Sequence, residues 1–231
     1  MKNNIRSMIL NLGADVCGFA SAGDMEGAPE GFRPTDIYTK CRSVIVFGIA
    51  LPKGLAEIEP NLIYGYYNNE IIEEVDRIAF QAAKNIEKYH GGHTVPLPGD
   101  GPYDYWDVDK MEGRGLISMK HAAVATGLGT LGKSTLLLNS QYGNMLTLGA
   151  VLSDLELTSD PPAEKICLED CNLCISNCPS GALDSSPVNQ KACRINTYGT
   201  NARGFDTVNC NKCRTVCPMK FGVSKAWRNK S

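Results

Sequence analysis

The chain has 231 residues, 43% hydrophobic and 21% charged, with a formal net charge of −2 at pH 7. That is ordinary for a soluble globular protein with a sizeable core and room for a small appended module. No apolar run approaches a membrane span, and residues 1–10 lack the apolar core of an export signal, so a cytoplasmic protein with no membrane partner is expected.

In chain order, Ile5, Met8, Ile9 and Leu12 fall at helical spacing, and Gly13 closes that helix. Residues 16–20 predict a short strand and residues 23–40 a Gly- and Pro-rich loop. Residues 43–50 (SVIVFGIA) form a nearly continuous apolar run with β-branched side chains, which predicts a buried strand. Cys17 and Cys41 lie beside these strands and read as small core residues. Residues 66–89 are amphipathic over a long helix, ended by His90-Gly91-Gly92-His93. The paired glycines make that end a terminator rather than a metal site. Residues 93–97 predict another strand.

Residues 99–114 (GDGPYDYWDVDKMEGR) predict a long polar loop. Its Tyr103, Tyr105, Trp106, Asp107 and Asp109 either line a substrate pocket or fold onto the body. Residues 115–126 predict a helix ending at Gly127. Residues 127–134 (GLGTLGKS) then match the phosphate-loop pattern G-x4-G-K-[ST]. A phosphate loop follows a strand and opens a helix. Here a helix comes first and an apolar strand-like run (TLLLN) follows, so nucleotide binding is not expected. The turn still offers backbone N–H groups and one lysine to an anionic ligand. Residues 140–144 (SQYGN) are turn chemistry between two apolar runs and predict a β-hairpin.

Asp160-Pro161-Pro162 marks a junction, which divides the chain into residues 1–159 and 160–231. Of ten cysteines, eight lie beyond it. Cys171, Cys174 and Cys178-Pro179 repeat as Cys210, Cys213 and Cys217-Pro218, each a C-x2-C-x3-C-P run. This is the spacing of a two-cluster ferredoxin, in which the last cysteine of each run reaches the other cluster. One [4Fe-4S] cluster is assigned Cys167, Cys171, Cys174 and Cys217. The second takes Cys178, Cys193, Cys210 and Cys213. Cys193 lies far upstream of its partners and is the least secure ligand. A zinc site of four thiolates would use only half of these residues and leave both Cys-Pro positions idle. From residue 188 onward nine basic residues face one acid, Asp206. Cluster–thiolate units are anionic, so these cations offset them. The stretch lacks interleaved aromatics for stacking bases, and nucleic acid is not expected as a partner.

Residues 121–144 (HAAVATGLGTLGKSTLLLNSQYGN), followed by the double cysteine module, resemble epoxyqueuosine reductase and the related cores of corrinoid reductive dehalogenases. Residues 14–20 (ADVCGFA), Arg33-Pro34 and the 43–50 strand are similar to that family's opening. The resemblance implies an α+β fold: a nitroreductase-like, cobalamin-processing-like α/β domain followed by a two-cluster ferredoxin-like module. It implies cobalamin between the two, touched by Gly127, Gly129, Gly132, Lys133, Ser134, Tyr142 and Gly143. Two departures stand out. The family carries a further helical-repeat region for tRNA, and this sequence stops at Ser231. The family's catalytic aspartate falls in register on Gly113, with Asp109 and Glu112 only close by.

The expected function is an iron–sulfur oxidoreductase. An external donor, such as a ferredoxin or flavoprotein, reduces the clusters, which pass electrons to a corrinoid or to a small-molecule or protein acceptor. Tyr103, Tyr105, Asp109, Glu112 and His121 are the candidate proton donors. With no aspartate at Gly113, tRNA epoxyqueuosine reduction is not expected. The alternative is an electron carrier or reductive activator that docks to a partner protein without catalysing a reaction itself.

Overall fold

The computed structural model describes residues 1–58, 62–103, 105–184 and 187–223. Helix α1 (Lys2–Asn11) leads through Gly13, at φ 115°, into strand β1 (Val16–Ser21). A 3-10 turn (Ala22–Met25) and the one-turn helix α2 (Pro34–Ile37) break up the stretch expected to be loop. Strand β2 (Ser43–Ala50) precedes the long helix α3 (Leu62–His90), which returns as strand β3 (Thr94–Leu97).

The expected loop over residues 99–114 contains a small ribbon, β4 (Tyr105–Asp107) paired with β5 (Glu112–Arg114). Its turn is closed by the Asp107 carboxylate, which accepts the Lys110 backbone N–H at 2.8 Å. Helix α4 (Met119–Ala125) is shorter than the expected 115–126. Short strands β6 (Thr130–Leu131) and β7 (Leu137–Leu138) pair with each other.

The hairpin expected around residues 140–144 does not form. Strand β8 (Leu146–Ser153) lies in the main sheet, ordered β1-β2-β8-β3, where β2 and β3 occupy both of its edges. Only an isolated Asn139–Gly143 bridge remains of the hairpin. Pro96 sits in edge strand β3, where a missing N–H is tolerated.

Both faces of this antiparallel sheet are covered, which explains the unbroken apolar run of β2. Ile45 and Phe47 pack on one side with Ile5 and Ile9 of α1 and Val75, Ile78 and Ala82 of α3. Val44 and Val46 pack on the other with Ala122 and Ala123 of α4 and Leu148, Ala150 and Leu152 of β8. Gly149 lets α3 approach: a Cβ there would lie 2.5 Å from Val75 Cγ1 and 2.6 Å from Phe47 Cζ.

Beyond Asp160 come α5 (Leu173–Ser176), α6 (Gln190–Thr197), the ribbon β9 (Tyr198–Thr200) with β10 (Asp206–Val208), and α7 (Lys212–Thr215). Of the nine basic residues at this end, Lys225, Arg228 and Lys230 lie outside the described residues. No helix among the described residues is long and apolar enough to cross a membrane.

Candidate redox site

The two cysteine runs fold as copies of each other. Cys171-Asn172-Leu173-Cys174 and Cys210-Asn211-Lys212-Cys213 each place an asparagine at the start of a one-turn helix. Its backbone is at φ −125°, ψ 17° in the first and φ −136°, ψ 21° in the second. The Asn172 carbonyl accepts the N–H groups of Ile175 and Ser176, and the Asn211 carbonyl those of Arg214 and Thr215. Proline follows the last cysteine of each run and keeps the helix from continuing.

The fold brings Cys167, Cys171, Cys174 and Cys217 around one cavity, with Gly132, Lys133 and Ser134 in its wall. Electrostatic coupling among the thiols divides them the same way. Cys217 is acted on by Cys167, Cys174 and Cys171, and Cys213 by Cys193, Cys210 and Cys178. Burial pushes the Cys213 thiol up to about 11, Arg214 opposes the rise, and its three neighbours add to it. Burial also raises Cys178, but a hydrogen bond from Ser180 and the surrounding backbone N–H groups outweigh it and hold that thiol below its ordinary value. Among the described residues no three His, Cys, Asp or Glu side chains converge on one ion. Four thiolates around one cavity repel each other unless a cationic core lies between them, and a cubane cluster supplies one metal to each.

Lys133 donates to the carbonyl oxygens of Glu169 and of Cys171 (2.9 Å) and to Asn172 Oδ1 (3.1 Å). It ties the first cysteine loop to the sheet unit, a use unlike that of a phosphate-loop lysine. Gly127 and Gly129 of the motif, and Gly143 of the following turn, pack against the chain itself. A Cβ would lie 2.2 Å from Pro161 O at Gly127, 2.4 Å from Leu138 O at Gly129, and 2.1 Å from Met219 O at Gly143. At these three positions the nearest neighbour is the chain's own backbone, so each glycine is required there by close packing. Tyr142 hydrogen-bonds Gln141 Nε2 through its hydroxyl (3.0 Å) and packs against the α4-side core.

The five proton-donor candidates are not all brought together. The Tyr103 hydroxyl lies 3.1 Å from Asp100 Oδ1 and 3.3 Å from an Arg194 nitrogen, and its ring stacks on Trp106. Tyr105 lies under the Arg114 guanidinium, which also pairs with Glu112. Asp109 offers its backbone carbonyl to Lys191. His121 instead bonds Ser118 Oγ at 2.7 Å and lines a separate cavity of about 420 Å³ with Met25, Phe32 and Val124. One residue that sequence reasoning missed is Lys120. Burial lowers its pKa, the nearby Cys213 pulls the other way, and its ammonium lies 3.5 Å from Thr135 Oγ1. No motif marks it.

A wide cleft of about 1200 Å³ separates the sheet unit, at Ala56, Ile58 and Leu62, from Asn177, Asn196 and Cys210 of the cysteine module. A neighbouring groove of about 940 Å³ shares Leu62, Asn201 and Thr207 with it and gathers Tyr66, Tyr67, Tyr198, Phe205 and Arg203.

No family model matches the chain. Epoxyqueuosine reductase of Lactococcus garvieae is 25% identical over 264 aligned positions, covering 97% of this chain and 71% of that protein. A crystal structure of epoxyqueuosine reductase with an epoxyqueuosine-modified tRNA-Tyr stem loop superposes with TM-score 0.69 at 18% identity, over 96% of this chain and 66% of that one. A reductive dehalogenase whose structure suggests a mechanism for B12-dependent dehalogenation gives TM-score 0.70 at 17% identity, over 98% of this chain and 32% of that one. The resemblance read from residues 121–144 and the cysteine module therefore holds along the whole chain. The fold is a mixed helix-and-sheet architecture shared with both groups.

Two expectations are overturned. Epoxyqueuosine reduction was not expected because Gly113 stands at the register of the catalytic aspartate, but a curated epoxyqueuosine reductase is similar over 97% of the chain, which outweighs one loop position. Nucleic acid was set aside for want of aromatics among the basic residues, yet a structural neighbour holds a tRNA stem loop. The basic stretch does contain aromatics, Tyr198 and Phe205 on either side of Arg203, and α3 brings Tyr66 and Tyr67 beside them in space.

Proposed function

We propose that this chain is a reductase of the epoxyqueuosine reductase type, acting on an epoxide-bearing nucleoside carried by a stem-loop RNA. The crossed grouping of eight thiols beside a wide cleft, in a chain similar to such a reductase over nearly its full length, carries this reading. Its parts are a nitroreductase-like sheet unit up to about residue 159 and a module beyond it that holds two [4Fe-4S] clusters.

The cleft suits a corrinoid. Its volume is large, one wall is apolar apart from Glu57, and the other carries the amides of Asn177, Asn196, Asn201 and Asn211, which match a macrocycle fringed with amides. When bound, the corrinoid would supply a strongly reducing metal centre able to open an epoxide. Removing the epoxide oxygen as water takes two electrons, from an external one-electron donor, and two protons. Cys210 lines the cleft, so its cluster would sit at the cleft wall. Tyr103, held between Asp100 and Arg194, is the candidate best fixed to deliver a proton. The groove of Tyr66, Tyr67, Tyr198 and Phe205 offers stacking surfaces for unpaired bases.

The test is anaerobic purification and reconstitution, iron and sulfide analysis, cobalamin titration, then incubation with a reductant and an epoxyqueuosine-modified stem loop. About eight irons per chain, as two cubanes require, and queuosine detected by nucleoside mass spectrometry are expected. A loaded protein that leaves the epoxide intact would sink the proposal.

A further inference from the structure

The β4–β5 ribbon has only three residue pairs and no hydrogen-bonded place in the main sheet. A ribbon that short is not stable by itself in water, so something else holds it. That support comes from α6. The Gly113 N–H donates to Gln190 Oε1 at 3.1 Å, and Gln190 Nε2 reaches back to the Gly113 carbonyl at 3.4 Å. Lys191 Nζ donates to the Asp109 carbonyl at 2.8 Å. The Arg194 guanidinium lies 5.4 Å from the Tyr103 ring centre and 5.0 Å from that of Trp106. Gly113 allows this closeness, since a Cβ would stand 3.1 Å from both of those rings.

Helix α6 is itself poorly anchored. It has eight residues, and Thr197 is its one buried residue. Gln190, Cys193, Arg194 and Thr197 share one helical face at i, i+3, i+4 and i+7. Cys193 Sγ lies 3.7 Å from Thr197 Oγ1. The residues that hold the ribbon and the thiol assigned to the second cluster therefore lie on the same stripe.

We infer that α6 couples the second cluster to the ribbon, with Gln190 and Arg194 as positioning residues. Ligation of Cys193 fixes the helix, whose Asn196 lines the cleft, and the helix holds Tyr103, Trp106 and Gly113 in place. This rests on the cluster assignment made above. The consequence is a ribbon that is held in place only when the second cluster is installed.

Hydrogen–deuterium exchange of residues 105–114, measured under anaerobic conditions alongside iron content, tests it. Gln190→Ala should leave iron unchanged and speed exchange there about fivefold, the worth of one net hydrogen bond. Gln190→Glu keeps the acceptor for the Gly113 N–H and should restore protection. Cys193→Ser should lose iron and loosen the same segment. Unchanged exchange in iron-loaded Gln190→Ala overturns the positioning role. Loss of iron in Cys193→Ser without faster exchange overturns the coupling. A wild-type chain that takes up no iron overturns the cluster assignment, and the coupling with it, whereas the Gln190 result stands apart from both.

Discussion

At Asp160 one carboxylate joins three separate stretches of chain. It accepts from Arg6 at 2.6 and 2.8 Å, pairs with Lys2 at 2.8 Å, and accepts the Phe19 backbone N–H at 3.0 Å. Burial alone would raise its pKa, but the hydrogen bonds from Lys2 and Arg6 outweigh that and hold it below the ordinary carboxylate value. A depressed carboxylate stabilises the fold above its unfolded pKa, and the contribution is lost as pH falls through the folded one. Asp160→Asn should therefore cost about 1 kcal/mol near neutral pH, a figure discounted for solvent screening of a part-exposed pair. Its deficit should shrink below the ordinary carboxylate range, and urea melts at neutral and acid pH would show this. Asp160-Pro-Pro was legible as a junction, but its charge partners were not, because they lie some 150 positions away in the chain. Cys17, by contrast, was read correctly as a core residue: it is buried, and burial pushes its thiol up to about 12.

Among the elements, the turn at residues 139–144 shows what local pattern reading misses. Its chemistry is that of a hairpin turn, and the Asn139 side chain does close it by accepting the N–H groups of Gln141 and Tyr142. The following strand nevertheless pairs with β2 and β3, because burying β8 on both faces gains more than a local ribbon would. The freed turn becomes a docking point. Asn144 N–H donates to Lys220 O, Val223 N–H to Ser140 O, and Arg214 to Asn144 O. Gly143, at φ 59°, fits beneath Met219 and Lys220 where no Cβ has room. Gly143→Ala should therefore weaken this docking by about 1–3 kcal/mol. The expected readout is faster iron loss to a chelator with little change in melting of the sheet unit.

Across the whole molecule, the three apolar clusters draw almost wholly on the sheet unit and on α3 and α4. Beyond Asp160, the buried hydrophobic residues among those described are Ile166 and Ala182. On the proposed cluster assignment, a module with so little core depends on metal for its fold. Stripping iron should unfold it selectively. Hydrogen exchange would then rise across residues 163–184 and 190–223 while the β1-β2-β8-β3 sheet stays protected. Loss of protection in both units together would show that they fold as one.

Sequence alone determined the main strands, the helices α1 and α3 and the family resemblance, because periodicity and cysteine spacing are local patterns written by local physics. The eight-thiol division was an expectation of the same kind, set by how far a short loop can reach around a cubane. Only the tertiary structure decided how Lys133 is spent, which glycines pack against backbone, and where aromatics meet the basic end. Each of those depends on residues far apart in the chain meeting at a surface. It also decided that helix α6 holds Gly113 of the ribbon and the nearby Tyr103, contacts that span about 80 to 90 positions and leave no trace in spacing.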